Sequence, residues 1–103
     1  MMAATLGNGG MQPSTKRGAL KKECVGDMLA LMFTCGMYDS SGEWAYNVGI
    51  PAKSGVSGAI FGVIPGKMGI AVYSPAINEK GNSVRGLNVF RELSQELGLS
   101  IFR

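Results

Sequence analysis

The chain has 103 residues, 46% of them hydrophobic and 17% charged, with sixteen glycines and a formal net charge of +3. That length holds at most one small domain, and glycines without a fixed period exclude a collagen-like or linker chain. With no histidine and only two cysteines, no structural zinc site is expected. No apolar run approaches the eighteen or so residues of a membrane span; the best, Ala59 to Ile64, stops at Pro65.

Met1 to Leu6 is apolar and helix-friendly, and Gly7-Asn8-Gly9-Gly10 ends it. One or two turns of helix do not hold themselves up in water, so this stretch reads as the end of a longer helix. Met11 to Gly18 is a loop. Lys16, Arg17, Lys21 and Lys22 gather around its end with no aromatic residue between them, which reads as a solvated surface rather than a nucleic-acid site. From about Lys21 to Thr34, the three- and four-residue steps of Cys24, Met28, Leu31, Met32 and Cys35 predict a helix with those residues facing the core. Gly36 ends it. Its two cysteines stand about three turns or roughly 16 Å apart, too far for a disulfide. They read as buried small hydrophobes in a reducing compartment.

Asp39 to Val48 makes a second, short helix with Asp39 or Ser40 as its N-cap, and Trp44 and Tyr46 are expected to pack it on the core. Pro51 pushes Ile50 towards an extended backbone. Val56 to Ile64 and Lys67 to Ser74 read as strands joined at Pro65-Gly66, an antiparallel hairpin. Gly58, Gly62 and Gly69 thin these strands and predict close packing by a helix or ligand. From Ser83 to Leu97, the residues Val84, Leu87, Phe90, Leu93 and Leu97 form one stripe of a helix, capped by Asn82 or Ser83 and ended by Gly98. The class is α/β (α+β). Two strands make a poor sheet, so a third is expected from outside the chain.

Lysine, serine and tyrosine are the proton-transfer groups available to a chain without histidine. Lys53-Ser54-Gly55 offers a cation and a hydroxyl before a glycine, and Cys35-Gly36-Met37-Tyr38-Asp39 offers a phenol beside another glycine. Lys53 would set a positive potential and Ser54 would donate a hydrogen bond. A backbone N–H near Gly55 or Val56 would face a developing oxyanion. The plainer alternative is a turn into a strand with a surface lysine. Gly55-Val56-Ser57-Gly58 falls short of a nucleophile elbow, because Ala59 stands where glycine is needed and there is no histidine base. Asp27, Asp39 and Glu43 form no acid pair and read as caps or surface charges.

The order and spacing of these pieces resembles the serine-dependent glutaminases, relatives in fold of the penicillin-binding proteins and serine β-lactamases. Cys35-Gly36-Met37-Tyr38-Asp39, a small-and-aromatic run, and then Gly49-Ile50-Pro51-Ala52-Lys53-Ser54-Gly55-Val56 are similar to that family's signature. Upstream, Met2 to Gly10 is similar too, with Gly7 where the family usually has alanine. Downstream the resemblance continues through Tyr73-Ser74-Pro75 and Gly81-Asn82-Ser83-Val84.

The resemblance implies the C-terminal lobe of a β-lactamase-like domain, an antiparallel hairpin flanked by helices, with residues 1–103 a partial glutaminase domain. It implies hydrolysis of L-glutamine to L-glutamate and ammonia through an acyl-enzyme on serine, with no metal or organic cofactor. The complete enzyme is expected to be a cytoplasmic homo-oligomer, with no nucleic-acid or membrane partner. By the same resemblance, Val56 supplies a main-chain N–H to the oxyanion hole, and Tyr38 lies in the glutamine pocket and helps move protons. Lys53, Ser54 and Gly55 are carried over as residues supporting the substrate site. The family's nucleophile sits in Ser-x-x-Lys, whose spacing puts both side chains on one helix face, yet no serine here is followed three residues on by lysine. The expectation is therefore a portion lacking the N-terminal part that carries Ser-x-x-Lys, and inert alone. The rival is a non-catalytic interaction module that pairs an exposed sheet edge with another chain. A member of the fold acting on β-lactams or peptides is a third reading, which the Cys-Gly-Met-Tyr-Asp segment disfavours.

Overall fold

The computed structural model describes all 103 residues. In chain order it runs α1 (Met2–Gly7), α2 (Lys22–Cys35), one turn of 3-10 helix (Tyr38–Ser40), α3 (Ser41–Asn47), β1 (Ala52–Ser54), β2 (Ala59–Ile64), β3 (Met68–Tyr73) and α4 (Val84–Leu97). The expected hairpin forms: β2 and β3 are antiparallel, with Ile64 opposite Met68 and Ala59 opposite Tyr73. The first strand starts only at Ala59, because Gly55 to Gly58 make a turn closed by the Gly58 N–H to the Gly55 carbonyl. The third strand does not come from outside. β1 pairs antiparallel with the other side of β2, placing Lys53 opposite Phe61 and Ser54 opposite Ile60. Three residues reading Ala-Lys-Ser are too short and too polar to announce a strand. Only the docking of this edge on β2 and Gly36 makes them one.

A strand's period of two sends alternate side chains to opposite faces, and both faces of β2 are used. Ile60 and Ile64, with Ile70 and Val72 of β3, pack with Met37, Trp44, Val48, Ile50, Phe90 and Leu99 on the side of α3 and α4. Phe61 and Val63 pack with Ala3, Leu6, Val25, Leu29 and Met32 on the side of α1 and α2. The sheet is thus sandwiched between two helical layers. The glycine-thinned strands do admit close helices. A Cβ on Gly62 would stand 2.7 Å from the Phe90 ring of α4, and one on Gly69 would fall on the Ala3–Ala4 backbone of α1. Trp44 anchors α3 by donating Nε1–H to the Ile50 carbonyl at 2.6 Å, with its ring 5.2 Å from that of Phe90. No helix is long and apolar enough to cross a membrane.

The buried face of α2 is not the one its spacing suggested. Val25 and Met32 are buried with Leu29 beside them, whereas Met28 and Leu31 are exposed, Leu31 to 66%. Both cysteines are free and exposed rather than buried. Apolar residues surround this helix on most sides, so periodicity could not choose a face and contact with the sheet did. Tyr46 lies outside the core too, under the guanidinium of Arg103 at 5.5 Å. On α4 the stripe holds at Leu87, Phe90 and Leu93, but Val84 and Leu97 lie beyond the sheet and are exposed.

Candidate active site

Gly36 decides how α2 ends. A Cβ there would land on the Ala52 carbonyl, so only glycine lets this turn pass under β1. The approach allows the Ser54 N–H to donate to the Gly36 carbonyl at 2.9 Å. Two residues later Tyr38 takes φ +55°, the left-handed region that bulky residues rarely enter. Three contacts hold it there. The Met37 N–H donates to Ser41 Oγ at 3.1 Å, Ser41 Oγ donates to the Tyr38 carbonyl at 3.0 Å, and Asn82 Nδ2 donates to the Met37 carbonyl at 3.2 Å. Backbone held in this way costs about 1–3 kcal/mol and persists where its surroundings over-determine it.

The Tyr38 side chain is 41% exposed, and the Lys53 ammonium stands 4.7 Å from the centroid of its ring while donating to the Ser54 carbonyl. Gly81 lies against both arms of the site. A Cβ there would stand 3.6 Å from the Tyr38 ring and 3.7 Å from Val56 Cγ1. Val56 is 67% exposed. Its N–H donates to no acceptor in the chain, although those of Gly55 and Gly58 are engaged with the Ala59 and Gly55 carbonyls at 2.9 and 3.0 Å. A backbone N–H left free three residues after Lys53, on a residue whose side chain faces the same Gly81 as the Tyr38 ring, is a ready donor to a developing oxyanion.

The fold therefore brings together Tyr38, Lys53, Gly55 and Val56. It turns Ser54 away. Alternation along β1 points its side chain to the same side as Ala52, 2% exposed and with its hydroxyl unpaired. Within the chain Ser54 contributes its backbone N–H to the Gly36 carbonyl, while its hydroxyl, expected as a donor, has no partner. The sequence marks Asn82 only as a cap and Gly81 only as part of a motif, yet Gly81 lies against the Tyr38 ring and Asn82 holds the turn before it. Nothing local marks Asn82, because its partner Met37 lies 45 residues away in sequence.

The sequence model of the glutaminase family matches residues 1–102. The chain belongs to the glutaminase family. It is 57% identical over 102 residues to a glutaminase of Trichormus variabilis, covering 99% of this chain and 30% of that one. In structure it is similar to YbaS, described as a probable glutaminase, with a TM-score of 0.95 and 46% identity over 99% of this chain and 33% of that one. It is also similar to the Bacillus subtilis glutaminase YbgJ in covalent complex with 5-oxo-L-norleucine, with a TM-score of 0.93 and 41% identity over 98% of this chain and 37% of that one. The glutaminase fold is β-lactamase-like, and this chain spans about a third of the length of these relatives.

Proposed function

We propose that this chain furnishes one wall of a glutaminase active site, where L-glutamine is hydrolysed to L-glutamate and ammonia through a serine acyl-enzyme. The carrying observation is the unengaged Val56 N–H, in a loop whose Val56 side chain faces the same Gly81 as the Tyr38 ring, over which Lys53 stands. A serine outside these 103 residues, activated by a lysine in Ser-x-x-Lys, would attack the side-chain amide carbon of glutamine. The carbonyl oxygen, gaining negative charge, would accept from the Val56 N–H. Tyr38 would help carry the proton that the departing nitrogen must gain as the C–N bond breaks. Water then cleaves the acyl-enzyme to release glutamate. Lys53 steadies the Tyr38 ring and adds positive potential, and Gly55 keeps the approach to the Val56 N–H open. The YbgJ complex supports this reading, since 5-oxo-norleucine carries a ketone where glutamine has its side-chain carbonyl.

The test replaces the matching segment of the Trichormus variabilis glutaminase with residues 1–102 and follows ammonia release. The hybrid should be active. Tyr38→Phe in it should lower kcat about 100-fold, and Val56→Pro, which removes the N–H, about 100- to 1,000-fold. A folded hybrid without activity, or an unchanged kcat in Tyr38→Phe, would refute the assignment.

One observation favours a second reading. Leu31 and Met28 stand exposed on α2, an apolar surface suited to a non-catalytic interaction module. Such a module would bind a partner with no amidase activity in the mixture. Recovery of this chain only with glutaminase activity would exclude it.

A further inference from the structure

The loop from Asn78 to Ser83 is tied down through Asn78, Asn82 and Ser83. Asn78 Oδ1 accepts from the N–H groups of Lys80 and Asn82 at 3.0 and 3.1 Å, and the Asn78 N–H donates to the Asn82 carbonyl at 2.8 Å. Ser83 then fastens the chain to the end of β3 and the start of α4, donating to the Ser74 carbonyl at 2.8 Å and accepting from the Gly86 N–H at 3.1 Å. Between these anchors Asn82 is fully buried, 0% exposed, and its Nδ2 reaches the Met37 carbonyl. Its Oδ1, equally buried, has no partner. An unpaired buried acceptor works against stability, so stability alone does not account for an amide here. The carbonyl it grips belongs to the peptide immediately before the left-handed Tyr38, and the next residue back along the loop, Gly81, lies against the Tyr38 ring and Val56.

We infer that Asn82 is a positioning residue of the glutaminase site: by gripping the Met37 carbonyl it aims the Tyr38 phenol relative to the Val56 N–H. Ser41 fixes the same turn from within its own segment, through the Met37 N–H and the Tyr38 carbonyl. Asn82 ties that turn to α4 and the sheet. The inference rests on the proposed role of Tyr38 in glutamine hydrolysis.

A double-mutant cycle in the active hybrid separates the two claims. Asn82→Ala and Asn82→Ser remove the amide and leave room for water. Each should lower kcat about 10- to 100-fold with a much smaller change in KM, as misplacement of a reacting group does. In a Tyr38→Phe background the same substitutions should change kcat less than about twofold, because residues acting through one group are not additive. Equal losses in both backgrounds, or an unchanged kcat in the single variants, would overturn the inference. So would failure of both variants to fold, read from the circular dichroism of the purified hybrids, since Asn82 would then be a residue of the fold rather than of the site. An unchanged kcat in Tyr38→Phe alone would instead remove the role of Tyr38, and the inference with it.

Discussion

Replacing Ser83 by alanine should destabilise this chain by about 2 kcal/mol. The hydroxyl has two partners and is fully buried: it caps α4 by accepting from the Gly86 N–H, and it donates to the Ser74 carbonyl. Loss of a serine N-cap costs about 1 kcal/mol. The Ser74 carbonyl, half-buried and losing its donor, adds about 1 kcal/mol more, the lower end of the range for an acceptor left unsatisfied. For a domain near 100 residues, 2 kcal/mol lowers Tm by roughly 8–16 °C. The chain's single tryptophan, Trp44, is buried between α3 and α4, so its fluorescence reports the transition without a label. Ser57→Ala is the control, an exposed serine with no side-chain hydrogen bond, and should stay within about 0.5 kcal/mol of the parent chain. A Ser83→Ala variant melting within 3 °C or so of the control would refute the reasoning, because neither the cap nor the Ser74 bond would then contribute as the geometry requires.

Gly69→Ala should push α1 off the sheet, since the new methyl would fall on the Ala3–Ala4 backbone. A cost of about 1–3 kcal/mol is expected, with faster hydrogen exchange at Thr5 in α1 and at Asn8 just past it, whose amides bond back into the helix, and unchanged exchange there would contradict the packing. Lys53→Met keeps the stem but removes the ammonium over Tyr38. Stability should fall by no more than about 0.5–1 kcal/mol, the worth of an exposed cation over a ring. In the hybrid, kcat should fall less than in Tyr38→Phe. A loss as large as that of Tyr38→Phe would mean that Lys53 acts in the reaction directly.

Much of the helix and hairpin pattern was legible because its signals are local. Pro65-Gly66 between two β-branched and aromatic runs marks a hairpin, and Ser83 with Gly98 marks the ends of α4 with their own side-chain and backbone chemistry. The site was legible as residue types near glycines and as a resemblance. Its arrangement was less so. Ser54 and Lys53 look equivalent in sequence, and the register of β1 on β2 alone sends one inward and the other over Tyr38. The face of α2 was illegible for a related reason: Met28 and Leu31 are as apolar as Leu29 and Met32, so the helix had no single stripe to read.

The helices, the β2–β3 hairpin with its turn, and the family were determined by the sequence itself, since each depends on neighbours a few positions apart or on matched motifs. The third strand, the buried face of α2 and the left-handed Tyr38 were decided only in three dimensions. The first two are set by groups far away in the chain, the Gly36 and β2 backbones for β1 and the sheet for α2, while the turn at Tyr38 is held by nearby Ser41 and the distant Asn82 amide together. Intrinsic preference acts residue by residue, but strained or short segments take their conformation from what they dock against.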